Sequence, residues 1–382
     1  MRAEQAAVFK AYDIRGRYGT QLTEELTYAV GRAAVTLLGA TRVVMGRDCR
    51  TSSPSLADAL RCGLIAQGAE VLDIGLVSTP MCYFANRHLQ ADASIMVTAS
   101  HNPPADNGLK ICGQNAMPVG GSNGRLYTMR DMIAAGNLPQ VPHAGTVTPV
   151  DIKSDYWQFV RTRSRMQARP RVVMDFANSV GTLEMAGLRD LFEVIPIGEE
   201  LDGSFPNHPP NPLNPANLQE LQTKVIVEDA AFGVAFDGDA DRACFVDENG
   251  AIIPPDLLIG PLALPYMRAG SQVPILYDVR SSWAVRDFIE LESGLGIVWK
   301  VGHAFMKPKM AELAAPFGGE LAGHYYFGDM NGSESSARVV IELANLLESS
   351  GKSLSQLIAP LRAYANSGEI NLPLPNREVI PA

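Results

Sequence analysis

The stretch Phe232-Gly-Val-Ala-Phe-Asp-Gly-Asp-Ala-Asp-Arg242 joins a short apolar run to a tight polar loop. Such a run, bounded by turn residues, is typical of a buried β-strand. Two other parts of the chain show related patterns: Ser94-Ile-Met-Val97 leads into Thr98-Ala-Ser-His-Asn-Pro103, and a third polar segment is Gly319-Glu-Leu-Ala-Gly-His324. The sequence therefore predicts three copies of one structural unit, each with a polar loop at the same place.

The strands that precede these loops also recur in step. The first strands are Arg42-Val-Val-Met45, Arg171-Val-Val-Met174 and Pro274-Ile-Leu-Tyr277, and the second strands are Glu70-Val-Leu-Asp-Ile-Gly75, Glu193-Val-Ile-Pro-Ile-Gly198 and Ile297-Val-Trp-Lys-Val-Gly302. In the first unit we predict a helix that is capped by Ser53, has Pro54 in its first turn and ends at Gly68. Any α/β protein alternates strands and helices, but the recurrence of the same residues at equivalent positions favours a true repeat.

We therefore expect an α/β fold with three tandem related α/β domains, whose mixed, mostly parallel sheets surround a shared cleft. Ligands bind beyond the carboxyl ends of parallel strands, where the polar loops lie. We predict domain 1 at residues 1–148, domain 2 at 149–253 and domain 3 at 254–366. Residues 367–382 contain three prolines and no helical period, so they read as a tail or as the first strand of something further.

Composition limits the classes of partner. The 382 residues carry 41 acidic and 32 basic side chains, a net charge of −9. A surface built to grip nucleic acid or an anionic membrane would have the opposite sign, so neither partner is expected. The charged first 15 residues do not resemble a secretory signal, and five scattered cysteines favour reduced thiols. We expect a cytoplasmic protein.

The loop after Phe236 carries three acidic side chains at alternate positions. Asp237, Asp239 and Asp241 can converge on one hard cation, and Mg²⁺ fits best if a phosphate supplies a further oxygen. A calcium loop is the alternative, but Arg242 occupies its sixth position, where glycine is required. Solvated surface carboxylates are disfavoured because the flanking residues are apolar.

Ser100 lies in the loop after the strand at residues 94–97, with His101 beside it and Lys110 downstream. A serine placed there would be exposed as a nucleophile or phosphoryl acceptor. An ordinary turn is an equally good interpretation, because Asn-Pro and Asn-Gly form turns for backbone reasons alone. No G-x-S-x-G elbow surrounds the serine, which argues against a serine hydrolase.

Taken together, the loops resemble those of the α-D-phosphohexomutase family, and in most detail those of the bacterial phosphomannomutases. The matching motifs follow one another through nearly the whole chain, at residues 9–16, 46–50, 98–110, 202–207, 211–213, 237–242, 277–283, 301–307 and 318–327. Because these motifs are long and ordered, the resemblance is specific.

The resemblance implies a phosphoserine at Ser100 and a Mg²⁺ ion held by Asp237, Asp239, Asp241 and an oxygen of that phosphate. It further implies reversible conversion of mannose 6-phosphate to mannose 1-phosphate through a hexose 1,6-bisphosphate, which also acts as activator. The partners would be small hexose phosphates, and the sequence does not fix the oligomeric state. Positioning and charge neutralisation dominate such chemistry.

The family pattern also assigns roles to side chains in the cleft. Arg242 and Lys110 would neutralise phosphoryl charge, and a ring of cations could lower the pKa of Lys110 enough for it to handle the proton of the attacking hydroxyl. A lysine that only pairs with phosphate is the alternative. Substrate contacts are implied for the remaining set: Tyr12, Arg15, Arg280, His303, Lys307, Glu320 and His324, with the loop at residues 46–50 helping to frame the serine phosphate.

Several features depart from the family pattern. Ala322 stands where the sugar-recognition loop usually carries serine, and Gly328–Ser336 differs from the usual aromatic and Asp-rich run. Family members continue into a fourth domain that clamps the non-reacting phosphate, and this chain ends where that domain would begin. Losing such charge-assisted hydrogen bonds, at about 1.5–3 kcal/mol each, would weaken substrate binding. The alternatives are a non-catalytic protein that binds sugar phosphate or metal, a phosphoglucomutase, or a phosphoglucosamine mutase, the last disfavoured by Leu321.

Overall fold

The computed structural model describes residues 2–121, 123–136 and 138–365, which form three β-sheets with helices packed around them. The first sheet contains β1 (Ile14–Arg17), β2 (Arg42–Arg47), β3 (Glu70–Leu76), β4 (Ala93–Val97), β5 (Asp106–Cys112) and β6 (Thr146–Pro149). The second contains β7 (Arg171–Asp175), β8 (Glu193–Ile197), β9 (Phe232–Phe236), β10 (Ala243–Asp247) and β11 (Ile252–Ile253). The third contains β12 (Pro274–Asp278), β13 (Leu295–Trp299), β14 (Phe317–Gly319), β15 (Tyr325–Phe327) and β16 (Ser333–Glu334).

Helices lie between and beside these strands. In the first third of the chain they are α1 (Ala3–Ala6), α2 (Glu24–Leu38), α3 (Ser53–Ala66), α4 (Thr79–His88) and α5 (Arg125–Ala135). They continue with α6 (Lys153–Arg161), α7 (Gly181–Ala186), α8 (Gln219–Val227), α9 (Ile259–Met267), α10 (Trp283–Leu291), α11 (His303–Leu313), α12 (Ser336–Ser350) and α13 (Leu354–Ile358). Within the described ranges, no helix is both long and apolar enough to span a membrane.

The three sheets share one topology. Strands follow one another in space as β3-β2-β4-β5 in the first sheet, β8-β7-β9-β10 in the second and β13-β12-β14-β15 in the third. In each sheet the first three strands of that order are parallel and the fourth is antiparallel. The prediction of three related α/β domains with mixed sheets is therefore confirmed, and the polar loops after β4, β9 and β14 are structurally equivalent.

An aspartate at the end of each first strand, or directly after it, turns the chain in the same way. Asp48, Asp175 and Asp278 each accept the backbone N–H two residues further on, at 2.8–3.0 Å. This short side-chain bond imitates a backbone turn. The repeat thus extends to the hydrogen bonds that shape the loops around the cleft.

Details of the predicted elements need correction. Ser52, not Ser53, is the N-cap of α3, because the Ser53 hydroxyl is used within the turn and donates to Asp48 Oδ1 at 2.5 Å. β6 runs to Pro149 and pairs with β3, one residue past the predicted end of domain 1. The domain boundaries stay predictions, and residues 367–382 lie outside the described part of the chain.

The domains pack through a shared apolar core. One continuous buried cluster includes Val44 of the first sheet, Phe232 of the second and Phe317 of the third. At the junction of α4 and α6, Phe84 packs edge-on against Tyr156 with ring centroids 5.5 Å apart. Burial of apolar surface stabilises a fold by about 25 cal/mol per Å². A core shared by all three sheets therefore fixes the positions of the three polar loops relative to one another.

Candidate active site

The equivalent loops of the three domains meet at a cavity of about 400 Å³. Ten predicted site residues line it: Tyr12, Arg15, Ser100, His101, Lys110, Arg242, Arg280, His303, Glu320 and His324. The three aspartates of the loop at residues 237–242, which we call the metal loop because of its predicted role, lie buried directly beneath Ser100. Residues separated by more than 300 positions in sequence are thereby brought to one place.

Ser100 is held in an unusual backbone conformation. Its φ is +50°, in the left-handed region that side chains other than glycine seldom adopt. Arg50, fully buried, donates to the Ser100 carbonyl at 2.7 Å and also to the carbonyls of Asn102, Pro103 and Asp106. Arg50 therefore shapes the serine loop from behind and does not face the cavity.

The Ser100 hydroxyl faces the metal loop. Its Oγ donates to Asp237 Oδ2 at 2.5 Å and lies 3.1 Å from His101 Nδ1. Burial, followed by the positive charges of Arg242 and Arg15, lowers the pKa of His101 to about 2. The imidazole beside the serine is therefore neutral.

The three aspartates form a buried acidic triad. Their nearest ligand atoms lie within 4.8 Å of one another. Burial, together with repulsion from Asp239 and Asp241, raises the pKa of Asp237 to about 7. Asp239 Oδ1 is buried without a hydrogen-bond partner among the residues that the structure describes, and Asp241 Oδ1, also buried, lies 3.3 Å from His324 Nε2. Carboxylate oxygens that converge in this way fit a hard divalent cation.

Lys110 differs from the prediction. Its Nζ donates to Asp239 Oδ2 at 2.6 Å and to Asp241 Oδ2. Burial disfavours the ammonium, but the two carboxylates outweigh burial and raise the pKa of Lys110 well above its usual value. The expectation of a lowered pKa is wrong here, because anions and not cations surround the amine.

Domain 3 contributes a connected acid–imidazole pair. His324 Nδ1 lies 3.0 Å from Glu320 Oε2, and its Nε2 lies 3.3 Å from Asp241 Oδ1. Burial disfavours the imidazolium, yet Asp241 and Glu320 raise the pKa of His324 to about 9. Glu320 also accepts the Gly302 N–H and the Tyr326 hydroxyl, each at 2.5 Å. The predicted sugar-binding loop is thus tied directly to the metal loop.

The opposite wall joins domains 1 and 3. The Tyr12 hydroxyl donates to the Val301 carbonyl at 3.2 Å, and the Tyr12 ring lies 6.3 Å from that of His303. Arg15 is anchored by Asp13 at 2.8 Å and by loop oxygens. His303 has no hydrogen-bond partner for either ring nitrogen within the described ranges. These side chains are placed where a bound ligand would contact them.

Lys307 does not line the cavity. It is fully buried, its Nζ lies 2.7 Å from Glu334 Oε2, and it sits 3.4 Å from the centre of the Tyr83 ring. The prediction that Lys307 contacts substrate is contradicted, because α11 turns this side chain into the interior. Its contacts are those of a structural ion pair within domain 3 that packs on a tyrosine ring of domain 1.

Sequence reasoning gave no role to Lys10 and Asp13, which also line the cavity. Both flank Tyr12 in the first motif, and the Lys10 N–H donates to the Asp13 carbonyl at 2.9 Å in a tight turn. Their place beside Tyr12 in the motif at residues 9–16 was the available signal. Ala322, noted as a departure, lines the cavity as well.

Comparison with known proteins agrees with this arrangement. The domains described as phosphoglucomutase/phosphomannomutase alpha/beta/alpha domains I, II and III match residues 6–125, 154–250 and 256–364. A protein of Xanthomonas campestris named "Phosphohexose mutases" is 37% identical over 369 residues, which cover 95% of this chain and 82% of that protein. The phosphomannomutase/phosphoglucomutase of Pseudomonas aeruginosa is 36% identical, with 96% of this chain and 80% of that protein covered.

A crystal structure of a phosphoglucomutase/phosphomannomutase family protein from Burkholderia thailandensis superposes with a TM-score of 0.87 at 32% identity, over 96% of this chain and 81% of that one. The family matches cover most of the described chain, and the relatives exceed 30% identity over almost its whole length. The sequence-based resemblance is therefore confirmed: the chain belongs to the phosphoglucomutase/phosphomannomutase family of α-D-phosphohexomutases.

Proposed function

We propose that this chain interconverts mannose 6-phosphate and mannose 1-phosphate through a phosphoserine at Ser100 and a hexose 1,6-bisphosphate intermediate. One observation carries the proposal: the Ser100 hydroxyl lies at a cavity of about 400 Å³, 2.5 Å from one carboxylate of a buried triad in which Asp239 Oδ1 has no hydrogen-bond partner among the described residues. A serine in an ordinary buried turn would face neither a cavity nor an acidic triad.

In the proposed forward step, a substrate hydroxyl attacks the phosphorus on Ser100. The Ser100 Oγ–P bond breaks as the new sugar O–P bond forms, and the proton given up by the attacking hydroxyl is balanced by the proton that the released Ser100 oxygen takes up. The bisphosphate then turns over in the cleft, and its other phosphoryl group returns to Ser100 Oγ. Atoms balance, since each cycle restores the phosphoserine.

The residues around Ser100 would stabilise the charge that develops. Arg242 and the protonated Lys110 would neutralise phosphoryl oxygens. Asp237, Asp239 and Asp241, with a phosphate oxygen on Ser100, would hold Mg²⁺. That ion would supply further neutralisation of phosphoryl charge when bound.

The remaining wall would recognise the sugar phosphate. Glu320 would accept from a sugar hydroxyl and His324, as an imidazolium, would donate. Tyr12, Arg15, Arg280 and His303 would contact the phosphates and the ring edge, and His101 would pack beside the phosphoserine as a neutral imidazole. The domain boundaries at residues 148 and 253 and a cytoplasmic location remain part of the proposal.

Mass spectrometry and turnover test the proposal together. We expect intact wild-type protein to carry one phosphoryl group that is absent from Ser100→Ala and is lost when excess sugar phosphate is added. With Mg²⁺ and a hexose 1,6-bisphosphate primer, wild type should convert mannose 6-phosphate, and Ser100→Ala should not. A stable phosphate with no turnover would instead identify a binding protein, and faster turnover of glucose or glucosamine phosphate would correct the substrate.

A further inference from the structure

A buried carboxylate outside the cavity connects all three domains. Glu184, on α7 of domain 2, is fully buried. Its Oε2 accepts from the Ser78 hydroxyl of domain 1 at 2.5 Å, and its Oε1 accepts from Tyr156 at 2.5 Å and from the Ala337 N–H of domain 3 at 3.2 Å. The Tyr156 oxygen in turn lies 2.7 Å from Ser335 Oγ. One side chain thus holds a segment from each of the other two domains.

Both partner serines are helix caps. Ser78 accepts the Met81 N–H at the start of α4, and Ser335 accepts the Arg338 N–H at the start of α12. The positive ends of two helices from different domains therefore point toward Glu184. Burial disfavours the ionised Glu184 carboxyl, and the hydrogen bonds at these helix starts partly offset that burial, since helix N-termini stabilise negative charge.

The residue after each cap holds the metal loop. The Thr79 N–H donates to the Asp239 carbonyl at 3.0 Å, and Thr79 Oγ1 donates to Asp239 Oδ2 at 2.5 Å. Ser336 Oγ donates to the Ala240 carbonyl at 2.8 Å. One hydroxyl from domain 1 and one from domain 3 therefore donate hydrogen bonds to adjacent residues of the metal loop.

We propose that Glu184 is a positioning residue for the metal loop, acting through the Ser78-Thr79 and Ser335-Ser336 caps to fix the Asp239 carboxylate and the Ala240 backbone. With Oδ2 of Asp239 held by Thr79, its unpartnered Oδ1 is the oxygen left for a cation. Hydrogen-bond partners behind metal ligands typically change affinity by about 10–100-fold when removed. The inference rests on the proposed divalent-cation site.

The test uses Mn²⁺ as a spectroscopic probe on the full chain. We compare wild type with Glu184→Gln by electron paramagnetic resonance titration at pH 8, above the pKa of about 7 to which burial raises the Glu184 carboxyl. We expect the Mn²⁺ Kd to rise about tenfold or more, while KM for the sugar phosphate stays within about threefold.

The chain offers a matched control. Glu248 of domain 2 likewise accepts from a serine at the start of a domain 3 helix, taking the Ser355 N–H at 3.1 Å and the Ser355 hydroxyl, but it contacts no residue of the metal loop. Glu248→Gln should leave the Mn²⁺ Kd unchanged, which separates loop positioning from a general loosening of domains.

Single hydroxyl deletions keep the test decisive if Glu184→Gln does not fold. Thr79→Val and Ser336→Ala should each weaken Mn²⁺ binding, and Thr79→Val should add little to Glu184→Gln in the double variant, because both act through one network. The inference is overturned if these folded variants bind Mn²⁺ like wild type while wild type binds and turns over. If wild type itself binds no Mn²⁺, and Asp239→Asn behaves identically, the metal site of the proposed function fails as well.

Discussion

Replacing Lys110 with methionine should separate the stability of the metal loop from its chemistry. The Lys110 ammonium is 4% exposed and donates to both Asp239 and Asp241. Methionine keeps the length and apolar stem of the side chain but removes the charge. The three buried carboxylates would then keep two neighbouring cations, His324 at 3.3 Å from Asp241 and Arg242 at 3.9 Å from Asp237.

The expected cost follows from these contacts. Two charge-assisted hydrogen bonds contribute about 1.5–3 kcal/mol each, and breaking a buried ion pair costs about 3–5 kcal/mol, so a loss near 4 kcal/mol is consistent with both. For domains of roughly 105–150 residues, the predicted sizes of domains 2 and 1, this lowers the Tm by at least about 8 °C. The metal ion should reverse the effect, because it neutralises the same carboxylates without displacing an ammonium.

Differential scanning calorimetry at pH 8, with and without Mg²⁺, measures both parts. Wild type at a hundredfold excess over its Kd should gain about 2.7 kcal/mol, and Lys110→Met should gain more while its mutase activity is lost. Lys153→Met, at an exposed pair 3.7 Å from Asp151, should change stability by less than about 1 kcal/mol. The reasoning is refuted if metal-free Lys110→Met melts within about 2 °C of wild type, or if Mg²⁺ stabilises it no more than wild type.

Three further outcomes are expected. Gly238→Ala would bring a Cβ to 2.3 Å from a backbone carbonyl of the serine loop, so its Tm should fall by an amount equivalent to about 1–3 kcal/mol and kcat should fall more than KM rises. Lys307→Met should destabilise by about 3–5 kcal/mol in calorimetry, Lys307→Met/Glu334→Leu should recover most of that loss, and KM should not change in either. The pKa of His208 is raised because the carboxylate of Asp175 outweighs burial. The stabilisation that His208→Gln removes should therefore be complete below about pH 6.5 and should vanish as the pH rises through the raised pKa. The Tm of both proteins between about pH 5.5 and 9 measures this.

The sequence was sufficient for the architecture and for most of the cavity because both depend on local patterns. An apolar run that ends in a polar turn, as at Phe232–Arg242, encodes strand and loop without reference to the rest of the chain. When such units repeat, the right-handed crossover of parallel strands brings their loops to one edge. Ser100 and the aspartates could therefore be placed together before any coordinates.

The errors arose where a property depends on contacts across domains. The pKa of Lys110 was predicted to fall because a ring of cations was expected around the amine, whereas the fold brings two carboxylates within hydrogen-bond distance. Lys307 was assigned a substrate contact only by its position in the family motif at residues 301–307. Glu334, which neutralises Lys307 in the interior, is distant in sequence and carried no recognisable signal.

Glu184, Thr79 and Ser336 were missed for a related reason. In the sequence, each looks like an ordinary residue of the first turn of a helix. Hydroxyl side chains are common at helix N-termini because they cap backbone N–H groups. Only the tertiary structure shows that the neighbouring hydroxyls of two caps reach one loop. A Ser-Thr or Ser-Ser pair at a helix start, with the second hydroxyl not needed for capping, is the signal that could have suggested a further contact.

These contacts constrain how the site could serve the bisphosphate intermediate of the proposed function, which would have to turn over. The acidic triad is fixed by hydroxyls from domains 1, 2 and 3, since Ser179 Oγ also donates to the Asp237 carbonyl at 3.0 Å. The sugar-facing pair, Glu320 and His324, is joined to the same triad through Asp241. Any shift of domain 3 that moved the sugar loop would therefore strain bonds to the metal loop. In the proposed reaction, rotation of the bisphosphate within the cavity would therefore cost less free energy than a rearrangement of these three domains. The affinity for the metal ion should then be the same in both half-reactions.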